Sequence, residues 1–361
     1  MAVTMPKIEI TFQQLAATFV SRSERGIAVL ILRDDTAGSG GSFFRFGDAT
    51  QVPADEFTAA NQQYIKDALS FGPLRVSVVK VGASGTLAQA LAILVQKEQT
   101  GWITVCDGTS QDWTDLVSWI KAREKEQKSW KAVCYNTTAP DSMHVVNFVN
   151  TKVTFADDRG ESDGVEFTPS LAGLLAACNV LRGATGYVCS NLVTVEEPDD
   201  LDAAVGAGKF ILINEDDQVK VGVDVNSMTT VNGSTQTEDM KYIETVEAMD
   251  LMRDDISNTF RQDYRGKYKN TTANQMLFLA AVNGYFRDLG DETVLDPTYD
   301  NTAAVDVTSQ RNAWIDSGKA EAAEWDDGTV ISTPFKRKVF LGGDVKILGS
   351  MADLQFVVTL M

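Results

Sequence analysis

One histidine stands among the 361 residues, His144 in DSMHVVNFV. A Ser-His-Asp or Cys-His device would have to use it as its base. Ser142, its near neighbour, makes no catalytic signature with it, and a single His in a strand-like run reads as structural. The four cysteines, Cys106, Cys134, Cys178 and Cys189, form no CxxC and no ligand pair, and sit in apolar or mixed stretches such as ITVCD. They are expected as buried thiols of a reducing compartment, not as disulfides or a zinc site. Two glycine clusters, GSGG at 38–41 and VGAGK at 205–209, fit neither GxGxxG nor GxxxxGK[ST]. After VGAGK comes FILIN, a strand, so no helix N-terminus is offered to a phosphate. Both are expected as turns. Carboxylates cluster at Glu196–Glu197, Asp199–Asp200, Glu215–Asp217, Asp254–Asp255 and Asp326–Asp327, none with the DxDxDG spacing of a calcium loop. A glycosidase pair would come only from tertiary placement. These clusters read as solvated faces. No catalytic residue, metal site or cofactor is expected.

The chain carries 50 acidic against 32 basic side chains, a net charge of −18. Such a surface repels phosphate, so direct nucleic-acid binding is not expected. It suits a self-repelling soluble protein or one that docks on something basic. An apolar share of 44% with 23% charged is that of a folded chain, not a disordered one. No apolar run of about 18 residues exists, so no membrane insertion is expected. The segment MAVTMPKIEITF lacks a basic region followed by an apolar core, so no secretory leader is expected.

From residue 26 onward, strand and helix patterns alternate. GIAVLILRD (26–34) is a continuous apolar run, as in a buried strand. A helix over 55–70 follows, then the strand LRVSVVKV (74–81). Thr86 and Gln89 form a capping box for a helix whose Leu87, Leu91, Leu94 and Val95 share a face. WITVC (102–106) is a strand. Trp113, Leu116, Val117 and Ile120 mark the next helix, and KAVCY (131–135) a further strand. That order predicts a mostly parallel sheet covered by helices. Between about 150 and 235 lie short strands (KVTFA, GYVCS, KFILIN, QVKVGV) and one apolar helix near Leu171. Two long helices follow Glu238, then a helix near 308–320. Strand-like segments close the chain at about 331–341, 344–348 and 353–361. The fold class is therefore α/β: a three-layer, mostly parallel sheet domain plus an α+β C-terminal domain.

Both ends are strand-like. In KIEITF, Ile8, Ile10 and Phe12 point one way and Lys7, Glu9 and Thr11 the other; near the C-terminus Leu354, Phe356, Val358 and Leu360 share a face. A solitary apolar strand is unstable in water. Either the two ends complete the chain's own sheet, or they are arms donated to neighbours by β-augmentation.

The order of several motifs resembles the contractile-tail sheath proteins, in the compact form found in Firmicute myophages, prophages and R-type bacteriocins. The opening MPKIEITFQQLAATFVSRSERGIAVLIL, the strand-turn-strand KFILINEDDQVKVGVDVNSMTT, the helix KYIETVEAMDLMRDDISNTFRQDYRGKYKN and the ending RKVFLGGDVKILGSMADLQFVVTLM carry the likeness over most of the chain. One departure is that Asp224 and Val225 stand before the VNS loop, where the family often has Arg.

The resemblance implies structural work, not catalysis. It implies copies stacked as a helix of rings, hexameric, around a tail tube protein, together with a baseplate and a tail terminator, and contraction that drives the tube through a target envelope. It implies a location in a virion tail or bacteriocin particle assembled in the host cytoplasm. It divides the chain into an N-terminal arm and linker (1–25), an outer α/β domain (26–195), an inner, tube-facing α+β domain (196–350) and a C-terminal arm (351–361). Ile8, Ile10, Phe12, Leu354, Phe356, Val358 and Leu360 become the inter-subunit arms. Ser21, Arg22, Ser23, Gly349 and Ser350 become hinge candidates. Glu244, Glu247, Asp250, Asp254 and Asp255 become candidates for docking on the tube. The rival expectations are an enzyme built on the α/β domain, or another tail or baseplate component.

Overall fold

A computed structural model of the chain describes residues 19–38, 40–178, 180–352 and 354–358. Its contacts fall into two compact units. The larger is Ser23–Asp254 with the described residues from Ile347 onward; the smaller is Asp255–Lys346 with the described residues before Ser23.

The larger unit opens with β1 (Ile27–Arg33), β2 (Ser42–Phe46), α1 (Ala59–Ser70), β3 (Arg75–Val81), α2 (Leu87–Lys97), β4 (Gly101–Val105), α3 (Ser110–Lys125), β5 (Trp130–Tyr135) and β6 (Val145–Phe148). The six strands make one sheet in the order β2-β3-β1-β4-β5-β6. All neighbours pair parallel except β2, which runs antiparallel to β3 at the edge. Helices begin where the sequence signals them: Thr86 and Gln89 cap α2 reciprocally, and Thr109 with Asp112 does the same for α3.

Alternation along β1 builds two cores. Ala28, Leu30 and Leu32 enter one together with Ile65 and Ala68 of α1. Ile27, Val29 and Ile31 enter the other with Leu87, Leu91 and Leu94 of α2 and Trp113, Leu116 and Ile120 of α3. Each such side chain fully buried contributes about 1.5–3 kcal/mol, so the strand stabilises both layers at once. Val95, expected on the apolar face of α2, is 40% exposed.

The larger unit continues through β7 (Lys152–Phe155), β8 (Glu161–Asp163), α4 (Thr168–Ala177), β9 (Leu192–Val195), α5 (Leu201–Gly206), β10 (Leu212–Glu215) and β11 (Gln218–Val221). β7, β8 and β9 form a three-stranded sheet in the order β8-β7-β9, and β10 pairs with β11. GYVCS supplies an isolated bridge, Val188 to Lys220, in place of a strand. Within α4, Gly173 lies against α1 so closely that a Cβ would sit 2.2 Å from the Ala68 carbonyl oxygen.

α6 (Ile243–Thr259) crosses from one unit to the other between Asp254 and Asp255. The contacts thus divide elsewhere than at 195/196. The reason is packing: Phe210, Leu212, Val219, Val221 and Ile243 share one core with β1 and α4. The smaller unit holds α7 (Thr272–Asp291), β12 (Thr302–Val305), α8 (Val307–Asp316), α9 (Asp327–Ser332) and β13 (Leu341–Asp344), with β12 and β13 paired antiparallel. Trp314 packs edge-on against Trp325 and Phe335, with ring centroids 6.2 and 4.9 Å away. The strand expected over 331–341 is absent: α9 ends at Ser332, Pro334 follows, and pairing begins only at Leu341.

Gly173→Ala is expected to lower the stability of the larger unit by about 1–3 kcal/mol, because backbone and not a flexible side chain meets the new methyl. Denaturant unfolding followed by tryptophan fluorescence measures it, and an unchanged midpoint would refute the close-approach account.

Candidate functional site

The polar residues of α6 meet charges drawn from far along the chain. Lys131 of β5 places its Nζ 2.9 Å from Glu247 and 3.2 Å from Asp250. His144, just before β6, has Nδ1 2.8 Å from Glu124 of α3 and Nε2 3.1 Å from both oxygens of Asp250. Arg253 donates to Asp250 as well. Arg25, just before β1, donates to Glu247 (3.2 Å) and to Asp254 (2.9 Å), and the Ser129 hydroxyl donates to Asp254. His144 and Asp250 are each 1% exposed.

Burial alone would lower the His144 pKa, but Asp250 and Glu124 override it and raise it to about 9. Burial opposes ionisation of Asp250, yet His144, Lys131 and Arg253 hold it well below the usual carboxylate range. The imidazole is therefore a cation at neutral pH. It has no lone pair free to serve as a base, and the neighbouring Ser142 hydroxyl donates instead to Glu124 at 2.6 Å.

This arrangement corrects the reading of the Asp254–Asp255 cluster as a solvated face. Asp250 and Asp255 are 1% and 0% exposed, and Glu247 is buried. Asp255 accepts from the Tyr285 hydroxyl at 2.7 Å within the smaller unit. Glu244 is bonded to Ser350: its two oxygens accept from the Ser350 backbone N–H (2.8 Å) and hydroxyl (2.6 Å). Asp250 and Asp255 are thereby closed to a partner, whereas Glu244 and Asp254 keep partial exposure. The cations that meet Glu247, Asp250 and Asp254 include Arg25, Lys131 and His144, which lie far along the chain and outside any local pattern.

Ser350 is tied a second time, its hydroxyl accepting from the Gly183 N–H at 3.2 Å. The side-chain oxygens of Asp224 and Glu244 both crowd Gly183, since a Cβ there would lie 2.9 and 2.7 Å from them. Burial, with Glu244 and Glu247 near, pushes the Asp224 carboxyl up to about 7. This acid sits where the resembled family often has Arg.

The hinge candidates fall beside the contact divides, which lie at Arg22/Ser23 and at Lys346/Ile347, shortly before Gly349. The Ser21 N–H donates to Thr259 at 3.3 Å, and Arg22 pairs with Glu292 at 2.5 Å. Past Ser350 the chain stands in solvent: Met351 is 103%, Leu354 88%, Phe356 79% and Val358 67% exposed. Residues 354–358 form no strand with their own unit. Ile8, Ile10, Phe12 and Leu360 lie outside the described residues.

Cys106, Cys134 and Cys189 are buried free thiols, and Cys178 is half-buried. Burial pushes Cys189 up to about 12. Gly208 turns the chain after α5 with φ +69°, in keeping with a turn and not a phosphate loop. Among the described residues no group of three or more His, Cys, Asp or Glu could hold a metal ion. No helix among them is long and apolar enough to cross a membrane.

The fold is that of contractile sheath subunits. The anti-feeding prophage helical sheath in its contracted state superposes with a TM-score of 0.72 at 13% identity, over 99% of each chain. The sheath tail protein of Desulfitobacterium hafniense superposes with 0.67 at 15% identity, over 83% of this chain and 94% of that one. In sequence, the tail sheath protein of Clostridium phage phiCD119 is 26% identical over 357 residues, 96% of this chain and 97% of its own. Residues 235–360 match the phage tail sheath C-terminal domain family. The chain is thus similar to tail-sheath subunits in fold throughout and, over residues 235–360, in the sequence of their C-terminal domain.

Because the folded-state pKa of His144 lies above its unfolded value of 6.5, protonation favours the fold. The contribution is fully present below pH 6.5 and is lost as pH rises through about 9. Stability is expected to fall by up to about 3 kcal/mol across that window, and His144→Gln should flatten the slope. Urea unfolding at stepped pH measures both; an equal slope in the variant would remove His144 as its source.

Proposed function

We propose that this subunit assembles with copies of itself into a helical stack of rings, hexameric, around a tail tube. Shortening of the stack drives the tube through a target envelope. One observation carries the reading: the chain presents an apolar, strand-patterned C-terminal segment (354–358) that is exposed and unpaired within its own unit. Such a segment gains stability by adding to a sheet of another copy. The likeness to a contracted helical sheath supports the same reading. Head-to-tail donation that does not close on itself generates a helix.

In this account the terminal segments 1–25 and 351–361 are arms. The part 26–195 faces outward and the part 196–350 faces the tube. Ser21–Ser23 and Gly349–Ser350 flex as subunits turn as rigid bodies. The extended state is metastable, and contraction releases free energy set at assembly, with no nucleotide. Of the acids on α6, only Glu244 and Asp254 keep partial exposure for a tube contact. The protein works without catalysis or cofactor, in a virion tail or bacteriocin particle put together in the host cytoplasm, with baseplate and terminator at the ends. Sealing of the single imidazole inside an ion network supports the non-catalytic part.

Removing 1–12, or 353–361, is expected to leave a folded monomer that forms no sheath. Circular dichroism and sedimentation test folding, and negative-stain microscopy tests assembly. Tubes of normal width from either truncated chain would overturn arm donation.

A further inference from the structure

The two-stranded sheet β12–β13 has two outer edges, and they differ. The Asp306 N–H donates to the Phe340 carbonyl, which makes that opposed pair a hydrogen-bonded one. By the antiparallel alternation, Ala304↔Gly342 and Thr302↔Asp344 are bonded pairs too. The N–H and C=O groups of Ala303 and Val305 on β12, and of Leu341 and Gly343 on β13, therefore point outward.

On the β12 side the outward groups are already occupied or covered. The Ala303 N–H donates to Asn283 Oδ1 at 2.7 Å, and Asn283 Nδ2 donates to the Ala303 carbonyl at 3.1 Å. The carboxamide of Asn283, on α7, thus reproduces the pair of bonds that a neighbouring peptide unit would make. Val305 is buried at 8% exposure. On the β13 side the outward groups of Leu341 and Gly343 meet no hydrogen-bond partner among the described residues. Gly342, Gly343 and Asp344 are exposed. Natural edges are usually blunted by Lys, Pro or a bulge; here two glycines leave the backbone bare. A Cβ on Gly343 would lie 2.7 Å from the Thr302 carbonyl oxygen, so the close pairing of the two strands itself keeps that position free of a side chain.

We propose that Asn283 is an edge guard: it closes β12 by side-chain mimicry of a strand, so that this sheet accepts the arm of a second copy only along Leu341–Asp344. The inference rests on the arm-donation reading above and adds to it a direction. One open edge gives each subunit one acceptor line in this sheet, and a strand cannot add on the wrong side without first displacing Asn283.

Thr302 and Asp344 are exposed and directly opposite one another, so they make matched probes of the two edges. A cysteine is placed on the arm (Val357→Cys or Val358→Cys, to sample both faces) and a second at either Thr302→Cys or Asp344→Cys in the full chain. Assembled particles are oxidised, and cross-linked peptides are identified by mass spectrometry. With Asn283 present, inter-subunit product is expected at Asp344→Cys in about tenfold excess or more over Thr302→Cys, since entry at Ala303 must break two hydrogen bonds. In the Asn283→Ala background the Thr302→Cys product should rise. Equal or greater product at Thr302→Cys with Asn283 intact overturns the guard while leaving arm donation standing. No inter-subunit product at either edge overturns arm donation and the guard with it. The comparison in the Asn283-containing chain decides the matter even if Asn283→Ala does not fold.

Discussion

Asp250 is a carboxylate with 1% exposure, and a carboxylate in that setting persists only when cations and donors replace its water. His144, Lys131 and Arg253 do so here. The same cluster takes in Glu124 of α3, Glu247 and Asp254 of α6, and Arg25 at the start of the first buried strand. Removing one member would leave a charge buried without its counter-ion, a loss of about 3–5 kcal/mol. The first turns of α6 are thus fixed to the parallel sheet by ion pairs as well as by Ile243 and Val246 in the core. The stretch just before β1 is fixed by Arg25.

That fixation places the root of the C-terminal segment. Among the described residues past Ser350, Met351, Leu354, Phe356 and Val358 are exposed and join no strand. Ser350 itself is anchored by Glu244 and Gly183, so the exposed segment leaves from a defined point. Apolar side chains held in water next to an anchored root are poised to associate, and the backbone behind them needs N–H and C=O partners as much as the side chains need burial. A bare sheet edge in the same chain offers the matching chemistry. The larger unit has a doubly cored sheet, and the chain carries besides it an exposed apolar segment and an open edge of β13.

Much of the fold was legible in residue order. The continuous apolar run of β1, the Thr86–Gln89 box and the three-and-four spacing of Trp113, Leu116 and Ile120 each report a local rule, and each element stands where its rule puts it. The closing segments were less legible, because β12 and β13 pair across α8 and α9 and a strand of four residues with two glycines carries little periodic signal. The acids of α6 show the other limit. The sequence shows Glu247, Asp250 and Asp254 as acids of one helix, but whether they meet water or cations depends on Arg25, Lys131 and His144, more than a hundred positions away.

The sequence by itself determined the alternation of strand and helix, the burial of both faces of β1 and the apolar patterning of the C-terminal segment, since these follow from side-chain type and backbone period alone. Only the tertiary structure decided that the single histidine is a structural cation, that Glu247, Asp250 and Asp255 of α6 are internal, and that Asn283 covers one edge of a sheet while the other stays open. Those outcomes depend on which distant groups arrive within hydrogen-bonding distance, and no local pattern encodes a distance.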